Sequence, residues 1–534
     1  MKKKIGIFGV AAVTLILAGC GKQTKTAKVK QELAWSVPSQ ITTLDSSKAV
    51  DTVSMDALTN LGEGLYRNDK DGVPKLALAK KQVVSKDGKH YDFYLKKTKW
   101  SNGDDLTARD FVKTYQRTID PKTTSQVAVD MRVFKNGEAI LGGKKKVNTL
   151  GVSAPSKYHL HFDLEKPIST MDQFLSLPLF FPQNEKMVKE AGSHYGTASK
   201  YFVSNGPFRI GKWNPNEKSW TLVKNKNYWD AKNVHLKKIN EQYNASSITN
   251  YNLYKAGKID NTVVTSGAHL TTSEKKNFHT FPTYTMNRMD FNFKNQPAFR
   301  NLKVRQAISA AINRPELLKA MHNNGRVALG LVPENIGKNP KTKVSFAKEA
   351  YVKDSVSFDL KRAKKLWSEG KKEENIKNLQ LTLLTDNGGE DMAEYLQSNF
   401  SELPGLEVKI RHVPFTQHLA MAEAGQYDLN LTSSSSLTPN PGDLLTTFES
   451  NFAQNPGWKN KEYDNLLKLA ENKDANNKMA EYKDYVAAEK LLMKQQVTVP
   501  LFQNQYSSLI KSKVKDYIFM PNYSDFDFKS AYIK

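Results

Sequence analysis

The amino-acid sequence predicts an α/β protein assembled from several structural units. Residues 379–384 and 406–413 are rich in aliphatic side chains and are predicted strands, and residues 391–403 between them have a helical pattern. This strand–helix–strand order is typical of a βαβ unit and therefore of a parallel sheet. The chain has 534 residues, of which 39% are hydrophobic and 10% aromatic. Its length corresponds to roughly three or four units of about 150 residues, and its composition excludes a wholly disordered chain.

The first half of the chain contains several predicted strands and two well-marked helices. A helix over 53–65 is predicted to end near Gly62. Thr107, followed by Asp110 three residues later, matches a capping box and predicts a helix that ends at about residue 118. Strands are predicted where aromatic and aliphatic residues cluster or alternate with polar ones, at 33–37, 91–95, 158–164 and 221–223.

The second half adds further helices around the βαβ unit. Asn301 is the predicted cap of a helix over 304–311, which must end before Pro315. Residues 462–492 have a helical pattern with polar interruptions, and 497–502 is a late predicted strand. No internal repeat of 20–50 residues is visible, so a solenoid or propeller is excluded.

The N-terminal segment has the organisation of an export signal. Lysines at 2–4 precede an apolar run over 5–18, and small residues lead to Cys20. The apolar run is shorter than the roughly 20 residues of a membrane-spanning helix. The segment resembles a bacterial lipobox. The resemblance implies a signal peptide over 1–19 and a diacylglycerol on Cys20, with acyl chains such as palmitate, followed by a flexible tether to residue 30.

Composition narrows the function classes further. The single cysteine excludes a disulfide scaffold and any zinc or iron–sulfur site built from several thiolates. Lys and Arg number 79 against 54 Asp and Glu, a formal net charge of +25. The lysines are spread along the chain and no nucleic-acid motif accompanies them, so no nucleic-acid partner is expected. Attraction to anionic envelope surfaces and plain solubility both remain open.

Six short sequence blocks, in a fixed order behind the lipobox, carry a family resemblance. Together they resemble the oligopeptide and dipeptide solute-binding lipoproteins of ABC importers, over about residues 33–534. The blocks are EGLY at 63–66, WSNG at 100–103 with TARDF at 107–111, NGPF at 205–208, KNYW at 226–229, VRQAI at 304–308 and VPLF at 499–502.

The resemblance implies a two-lobed periplasmic-binding-protein (Venus flytrap) fold with an additional small domain, three domains in all. Lobe I is expected to be discontinuous, over 31–64, 188–284 and 503–534. The additional domain is expected over 65–187 and lobe II over 285–502. Two crossover segments, near residues 283–287 and 499–503, are expected to form a hinge between the lobes.

The resemblance also implies how a ligand is held. A peptide bound as an added strand satisfies its backbone groups whatever its side chains. In the family the ligand strand pairs with one segment in each lobe, and Phe415 and Trp458 are expected to line the groove. By local ungapped alignment, the residues corresponding to the two segments are Val50, Asp51, Thr52, Ser433, Ser434 and Ser435.

One position departs from the family pattern. Many peptide-binding members have an aspartate that pairs with the ligand's α-amine, and the ungapped match places Leu437 there. A buried ammonium without a partner costs several kcal/mol. Asp443, Asp51 or Glu63 is therefore expected to serve instead, unless the amine is not buried or the ligand has none. The consequence is narrower or altered specificity.

Other residue patterns do not indicate an enzyme or a cofactor. The serine run 433–436 has no Gly-x-Ser-x-Gly elbow, and no phosphate-binding loop of Walker type is present. His159 and His161 share one strand face as a metal pair would, but no third ligand is near them in sequence, so no metal is expected. His412 and His418 are expected near the cleft.

The sequence therefore predicts a lipid-anchored, monomeric receptor on the extracytoplasmic face of the cell membrane, in a bacterium without an outer membrane. It is expected to deliver oligopeptides to an ABC permease whose cytoplasmic ATPase supplies the energy. A signalling peptide, haem, a metal chelate or an oligosaccharide remain alternative ligands. A secreted envelope peptide hydrolase and an adhesin or chaperone-like protein are the alternatives from other classes.

Overall fold

The computed structural model describes residues 29–264, 267, 270–523 and 525–534. Gln31–Lys534 forms one compact unit. Cys20 and the predicted signal peptide lie outside the described residues. Within the described part of the chain, no helix is long and apolar enough to cross a bilayer.

Strands are distributed over the whole compact unit. They are β1 (Glu32–Val37), β2 (Tyr66–Asn68), β3 (Pro74–Leu76), β4 (Ala79–Val84), β5 (His90–Leu95), β6 (Thr98–Lys99), β7 (Asp105–Leu106), β8 (Val152–Ser156), β9 (His159–Asp163), β10 (Phe208–Ile210), β11 (Ser219–Lys224), β12 (Lys238–Tyr243), β13 (Asn261–Val263), β14 (Phe278–Phe291), β15 (Arg326–Val327), β16 (Leu379–Asp386), β17 (Leu406–Val413), β18 (Leu429–Ser435), β19 (Thr498–Ile510), β20 (Val514–Lys515), β21 (Ile518–Met520), β22 (Asp525–Asp527) and β23 (Tyr532–Ile533).

Helices pack between and around these strands, and short 3-10 segments join several of them. They are α1 (Thr52–Leu61), α2 (Ala108–Ile119), α3 (Gly137–Leu141), α4 (Met171–Phe174), α5 (Glu185–Ala191), α6 (Ser247–Lys255), α7 (Thr272–Lys275), α8 (Leu302–Ala310), α9 (Arg314–Ala320), α10 (Phe346–Glu349), α11 (Lys353–Val356), α12 (Leu360–Glu373), α13 (Glu390–Phe400), α14 (Phe415–Glu423), α15 (Gly442–Leu445), α16 (Lys461–Lys468) and α17 (Lys478–Lys494), with a π-helical turn at Leu469–Lys473.

Three larger sheets organise the described strands, and each has its own hydrophobic core. The first has the order β1-β12-β11-β10 and a core around Trp35. The second, β4-β5-β9-β8, has a core around Phe93. The third has seven strands, in the order β13-β19-β14-β18-β16-β17 with β15 beside β19, and its core includes Trp367. This is an α/β architecture of two lobes and an additional domain.

Two long strands of the third sheet, β14 and β19, contain the segments expected to cross between the lobes. They pair antiparallel over 278–282 with 505–509, and again over 286–290 with 498–503. Between these stretches the register shifts, and hydrogen bonds from side chains connect the two strands instead of a backbone ladder. The Thr283 hydroxyl donates to the Asn504 carbonyl at 3.1 Å, and the Gln503 amide donates to the Thr283 carbonyl at 2.9 Å. The two predicted crossover segments thus lie on two strands that pair with each other.

The strongest predictions from sequence are confirmed, but many of the strands, among them β14 and β18, were not predicted. β16 and β17 are parallel with α13 between them, as predicted. The Thr107 N–H donates to the Asp110 carboxylate at 2.8 Å at the start of α2. β14 was expected only as a crossover segment and β18 not as a strand, because both are polar along much of their length. They form strands because each gains a partner strand through the fold.

Glu489 on α17 is a carboxyl group in the core of lobe II. One oxygen accepts a hydrogen bond from the Leu331 N–H at 2.6 Å. The other oxygen has no hydrogen-bond partner among the described residues. Burial raises the pKa of Glu489 to about 7, because an ionised carboxylate at this position is poorly solvated.

We expect Glu489→Gln to remove part of the pH dependence of stability. The folded pKa lies above the ordinary value of 4.5, so the native state holds the proton more tightly than the unfolded chain. The contribution of Glu489 is therefore fully present below about pH 4.5 and is lost as pH rises to about 7, by about 3 kcal/mol. Urea unfolding at pH 5 and at pH 7.5 measures it. The exposed Glu402→Gln is the control, and the idea fails if Glu489→Gln keeps the wild-type pH dependence.

Candidate functional site

A cavity of about 630 Å³ lies where the segments expected to form both lobes and the additional domain meet. Two hydrogen bonds join residues that line it. The Tyr284 N–H on β14 donates to the Pro521 carbonyl at 3.2 Å, and the Asn522 amide donates to the Leu437 carbonyl at 3.2 Å. The lining comes from residues 68–72, 173–177, 281–284, 335–338, 437–439 and 517–522. The cavity is therefore a cleft between domains, which is a common location for ligand sites.

A second cavity, of about 280 Å³, lies within lobe II at the carboxyl ends of β16 and β18. These two strands are parallel, so their ends meet at the same edge of the sheet. The lining includes Thr385, Asp386, Phe415, His418 and Ser433. The wall is mixed in character, with an aromatic ring, an imidazole, a carboxylate and three hydroxyls.

One edge of β18 is unpaired where it passes this cavity. β16 pairs with β18 only at Leu429 and Asn430, so no described strand pairs with residues 431–435 on that side. On the opposite side, β14 pairs with β18 along its whole length. The Ser436 N–H, next after the strand, donates to the Tyr284 carbonyl at 3.2 Å. Since alternate residues of a strand face opposite neighbours, the backbone groups of Ser433 and Ser435 face away from β14.

The serine side chains on β18 bind to protein rather than forming a nucleophilic site. The Arg288 guanidinium donates to the Ser434 hydroxyl and forms a buried ion pair with Asp290 at 2.9 Å. The Ser435 hydroxyl lies 2.6 Å from the Thr285 hydroxyl. These contacts hold β18 against β14 and leave the backbone of the opposite edge open.

The two histidines expected near the cleft differ in position. His418 is buried and lines the cavity in lobe II. Its Nε2 is 2.7 Å from Asn430 Oδ1 and its Nδ1 is 3.3 Å from Asp386 Oδ2. His412 lies at the surface and its Nε2 is 2.8 Å from Glu390. Of the pair, His418 is positioned to contact a molecule in the cavity.

Residues 50–52 of lobe I lie at the start of α1. Val50 and Thr52 are exposed. Asp51 is the N-cap of α1, and its carboxylate accepts a hydrogen bond from the Ser54 N–H at 2.8 Å. This cap satisfies a backbone donor that the helix leaves unpaired. Asp51 therefore already has a structural role, which sequence reasoning did not assign to it.

The other sequence-predicted groove residues are dispersed. Leu437 lines the cleft of about 630 Å³ and packs against the core of the additional domain. Phe415 is 61% exposed and lines the cavity in lobe II. Trp458 is buried in the lobe II core, with its ring 5.1 Å from that of Tyr463. Trp458 thus packs in the core rather than at the groove surface, which its position in the sequence did not indicate.

Asp443 and Glu63, the remaining acid candidates, are both engaged by protein groups. The Asp443 carboxylate accepts bonds from the Ser436 hydroxyl at 2.6 Å and from the Thr438 hydroxyl at 2.9 Å. It borders a separate cavity of about 150 Å³. Desolvation raises the pKa of Asp443, although these hydrogen bonds oppose the shift.

Glu63 belongs to a buried polar cluster beside the additional domain. It is 1% exposed, and Arg67 Nε lies 2.8 Å from its carboxylate. The Tyr228 hydroxyl donates to it at 2.8 Å, and the Trp229 indole N–H donates to its other oxygen. Arg67 also pairs with Asp527 near the C-terminus. The cluster joins two of the sequence blocks, EGLY and KNYW, through side-chain contacts.

Two lobes joined by paired strands around a shared cleft define a two-lobed binding protein. The chain belongs to the bacterial extracellular solute-binding proteins of family 5, whose model, describing the middle part of these proteins, matches residues 73–456. This is a family of binding proteins and not of enzymes.

Relatives of known name span nearly the whole chain. A dipeptide-binding protein of Lactococcus lactis subsp. cremoris is 33% identical, covering 100% of this chain and 99% of the relative. The structure of Listeria monocytogenes OppA bound to peptide matches with a TM-score of 0.76 at 32% identity, over 95% of this chain and 99% of that one. The pheromone receptor PrgZ matches with a TM-score of 0.77 at 32% identity, over 95% and 100%.

We expect Glu63→Gln to destabilise the fold by about 3 kcal/mol, because the change removes one of the two carboxylates that pair with the buried Arg67 guanidinium. Urea unfolding measures the loss. The control is Glu185→Gln, which removes an exposed ion pair with Arg109 and is expected to cost less than about 1 kcal/mol. Equal losses in the two variants would contradict a structural role for Glu63.

Proposed function

We propose that this chain captures oligopeptides by adding their main chain to the open edge of β18. The observation that carries the proposal is the unpaired backbone of Ser433 and Ser435 beside a cavity in lobe II. A strand edge offers hydrogen bonds to any peptide regardless of its side chains. The names of the Lactococcus and Listeria relatives support a peptide ligand.

The energetics require closure as well as hydrogen bonds. Each backbone bond contributes about 0.5–1.5 kcal/mol net, whereas micromolar affinity requires about 8 kcal/mol. The remainder comes from enclosing the ligand between the lobes, which buries apolar surface and excludes water. The second contact segment, residues 50–52, supplies exposed backbone at the start of α1.

Closure is proposed to occur about β14 and β19. Their pairing is interrupted between Pro282 and Met286. Fewer backbone hydrogen bonds would have to break there than elsewhere along the strands, which supports a hinge at this position. The domain boundaries in the proposal are 31–64, 188–284 and 503–534 for lobe I, with 65–187 as the additional domain and 285–502 as lobe II. A hinge of this kind requires backbone rotation at only a few residues.

The proposed location of the protein rests on the sequence of its N-terminal segment. Acylation of Cys20 holds the chain at the extracytoplasmic face of the cell membrane, because two acyl chains bind a bilayer far more firmly than one. From there a monomeric receptor delivers peptide to an ABC permease, and the permease's ATPase supplies the energy. The chain itself has no nucleotide-binding loop.

Leu437 stands where many members of the family have an amine-binding aspartate, and this difference is expected to affect which peptides are bound. Leu437 lines the central cleft, and the acids expected as substitutes, Asp51, Glu63 and Asp443, are already bonded to protein groups. We therefore propose that the ligand's α-amine is not neutralised by a buried aspartate. Recognition then depends more on the main chain and side chains than on a free N-terminus.

A calorimetric titration with tetraalanine tests the edge of β18, because this peptide offers main chain with minimal side chains. We expect Ser433→Pro, which removes one N–H at the open edge, to weaken binding by about 2- to 10-fold. Ser433→Ala keeps the N–H and is expected to bind like wild type. Unchanged binding by Ser433→Pro, or an equal loss in Ser433→Ala, would contradict the proposal.

The same titration with N-acetyl-tetraalanine tests amine recognition separately. We expect acetylation to change the affinity by less than about tenfold, since no buried charge pair is lost. A loss of about 100-fold or more would contradict the role given to Leu437 while leaving the β18 edge intact as the main-chain site.

A signalling peptide is the second candidate ligand. It is favoured by the match to a structure named as a pheromone receptor, which is as similar to this chain as the OppA structure. A specific signalling peptide would bind far more tightly than tetraalanine, whereas a nutrient receptor would bind a range of short peptides with similar affinity.

A further inference from the structure

The outer face of the sheet in the additional domain has a ladder of histidines and aspartates. β5 and β9 pair antiparallel, with His90 opposite Asp163 and Asp92 opposite His161. The residues between them point to the other face, where they are buried in the core: Tyr91, Phe93, Leu160 and Phe162. The strand period of two therefore places five histidine and aspartate side chains on one solvent-facing surface: His90, Asp92, His159, His161 and Asp163.

Three of these side chains have the geometry of a metal site. One ligand atom each from His90, His161 and Asp163 lie within 4.8 Å of one another. Asp163 Oδ1 is 2.6 Å from His90 Nδ1 and 3.2 Å from His161 Nε2. Ligand atoms of a tetrahedral zinc site are roughly 3.3 Å apart, given bonds of about 2.0–2.1 Å. Side-chain adjustments alone thus suffice to receive an ion.

Asp92 supplies the outer support that metal-binding histidines usually have. Its Oδ1 is 2.9 Å from His161 Nδ1 and 2.7 Å from His159 Nε2. A histidine that donates its other ring N–H to a carboxylate has its tautomer and orientation fixed for metal binding. Both ring nitrogens of His161 face carboxylates, Nδ1 that of Asp92 and Nε2 that of Asp163. With Zn²⁺ in place of a proton on Nε2, the bond to Asp92 would keep the other proton on Nδ1 and leave Nε2 as the ligand atom.

The site is open to solvent and its ligands suit particular metals. The side chains of His90, His161 and Asp163 are 49%, 28% and 31% exposed, which leaves an entry path and room for a water ligand. Asp87 Oδ2 is 3.7 Å from His90 Nε2 and adds negative charge. Two imidazoles with one carboxylate favour Zn²⁺ and neighbouring first-row ions over Mg²⁺ or Ca²⁺.

We propose that His90, His161 and Asp163 bind one Zn²⁺ ion on the outer face of the additional domain, with Asp92 positioning His161. Sequence reasoning paired His161 with His159 and overlooked Asp163, which follows two residues later on the same face of β9. The remaining ligand, His90, comes from the strand register, which places it beside Asp163. The site is separate from the peptide cleft, so a test of Zn²⁺ binding does not depend on whether the proposed function is correct.

Zn²⁺ binding to the full chain carrying Cys20→Ser tests the proposal, since that change removes the only thiol. After treatment with a chelator, calorimetry is expected to give one Zn²⁺ per chain. We expect His161→Ala and Asp163→Ala to abolish this binding, and Asp92→Asn to weaken it by about 10- to 100-fold. His412→Ala is the matched control, because His412 also contacts a carboxylate, that of Glu390, at the surface.

A spectrum with Co²⁺ in place of Zn²⁺ gives a readout that does not depend on the variants folding. The unmutated site is expected to give the intense visible bands of four-coordinate Co²⁺ with nitrogen and oxygen ligands. Only weak octahedral bands, undiminished Zn²⁺ binding in His161→Ala, or loss of binding in His412→Ala would each overturn the proposal. In those cases the histidines and aspartates of the ladder are joined by hydrogen bonds and do not bind a metal.

Discussion

The pairing of β14 with β19 is the interaction on which the rest of the structure depends. These strands contain the segments expected to cross between the lobes, and their antiparallel ladder continues on both sides of the interruption near residues 283–285. Within lobe II the ladder is secured by a buried network in which the Thr498 hydroxyl donates to Asp290 at 2.6 Å and Asp290 pairs with Arg288. The same Arg288 donates to Ser434, so β14 also holds the strand that borders the cavity.

The open edge of β18 is a consequence of this arrangement. β14 pairs with one side of β18 along its full length, whereas β16 pairs with the other side only as far as Asn430. A strand of residues such as Ser433 and Ser435 tolerates that exposure because its side chains are polar and short. An unpaired edge beside a cavity remains available to an extended peptide.

Sequence patterns predicted the parts of the fold in which local signals and tertiary contacts agree. The βαβ unit and the capping box at Thr107 are of this kind. β14 and β18 were missed because their strand character comes from partners far away in sequence. Trp458 was expected at the groove, but it packs in the core. The sequence alone does not show which way a tryptophan side chain points. The ladder of His90 and Asp163 was invisible for the same reason, because only the register of β5 and β9 brings these residues together.

Hydrogen exchange measured residue by residue, with and without tetraalanine, distinguishes the edge of β18 from any other peptide-binding surface. We expect bound peptide to slow exchange of the Ser433 and Ser435 amides, which face the open edge. The amides of Thr432 and Ser434 face β14 and are expected to change little, which makes them internal controls. Slower exchange elsewhere in the cleft, with Ser433 and Ser435 unchanged, would show that the peptide is held by another surface.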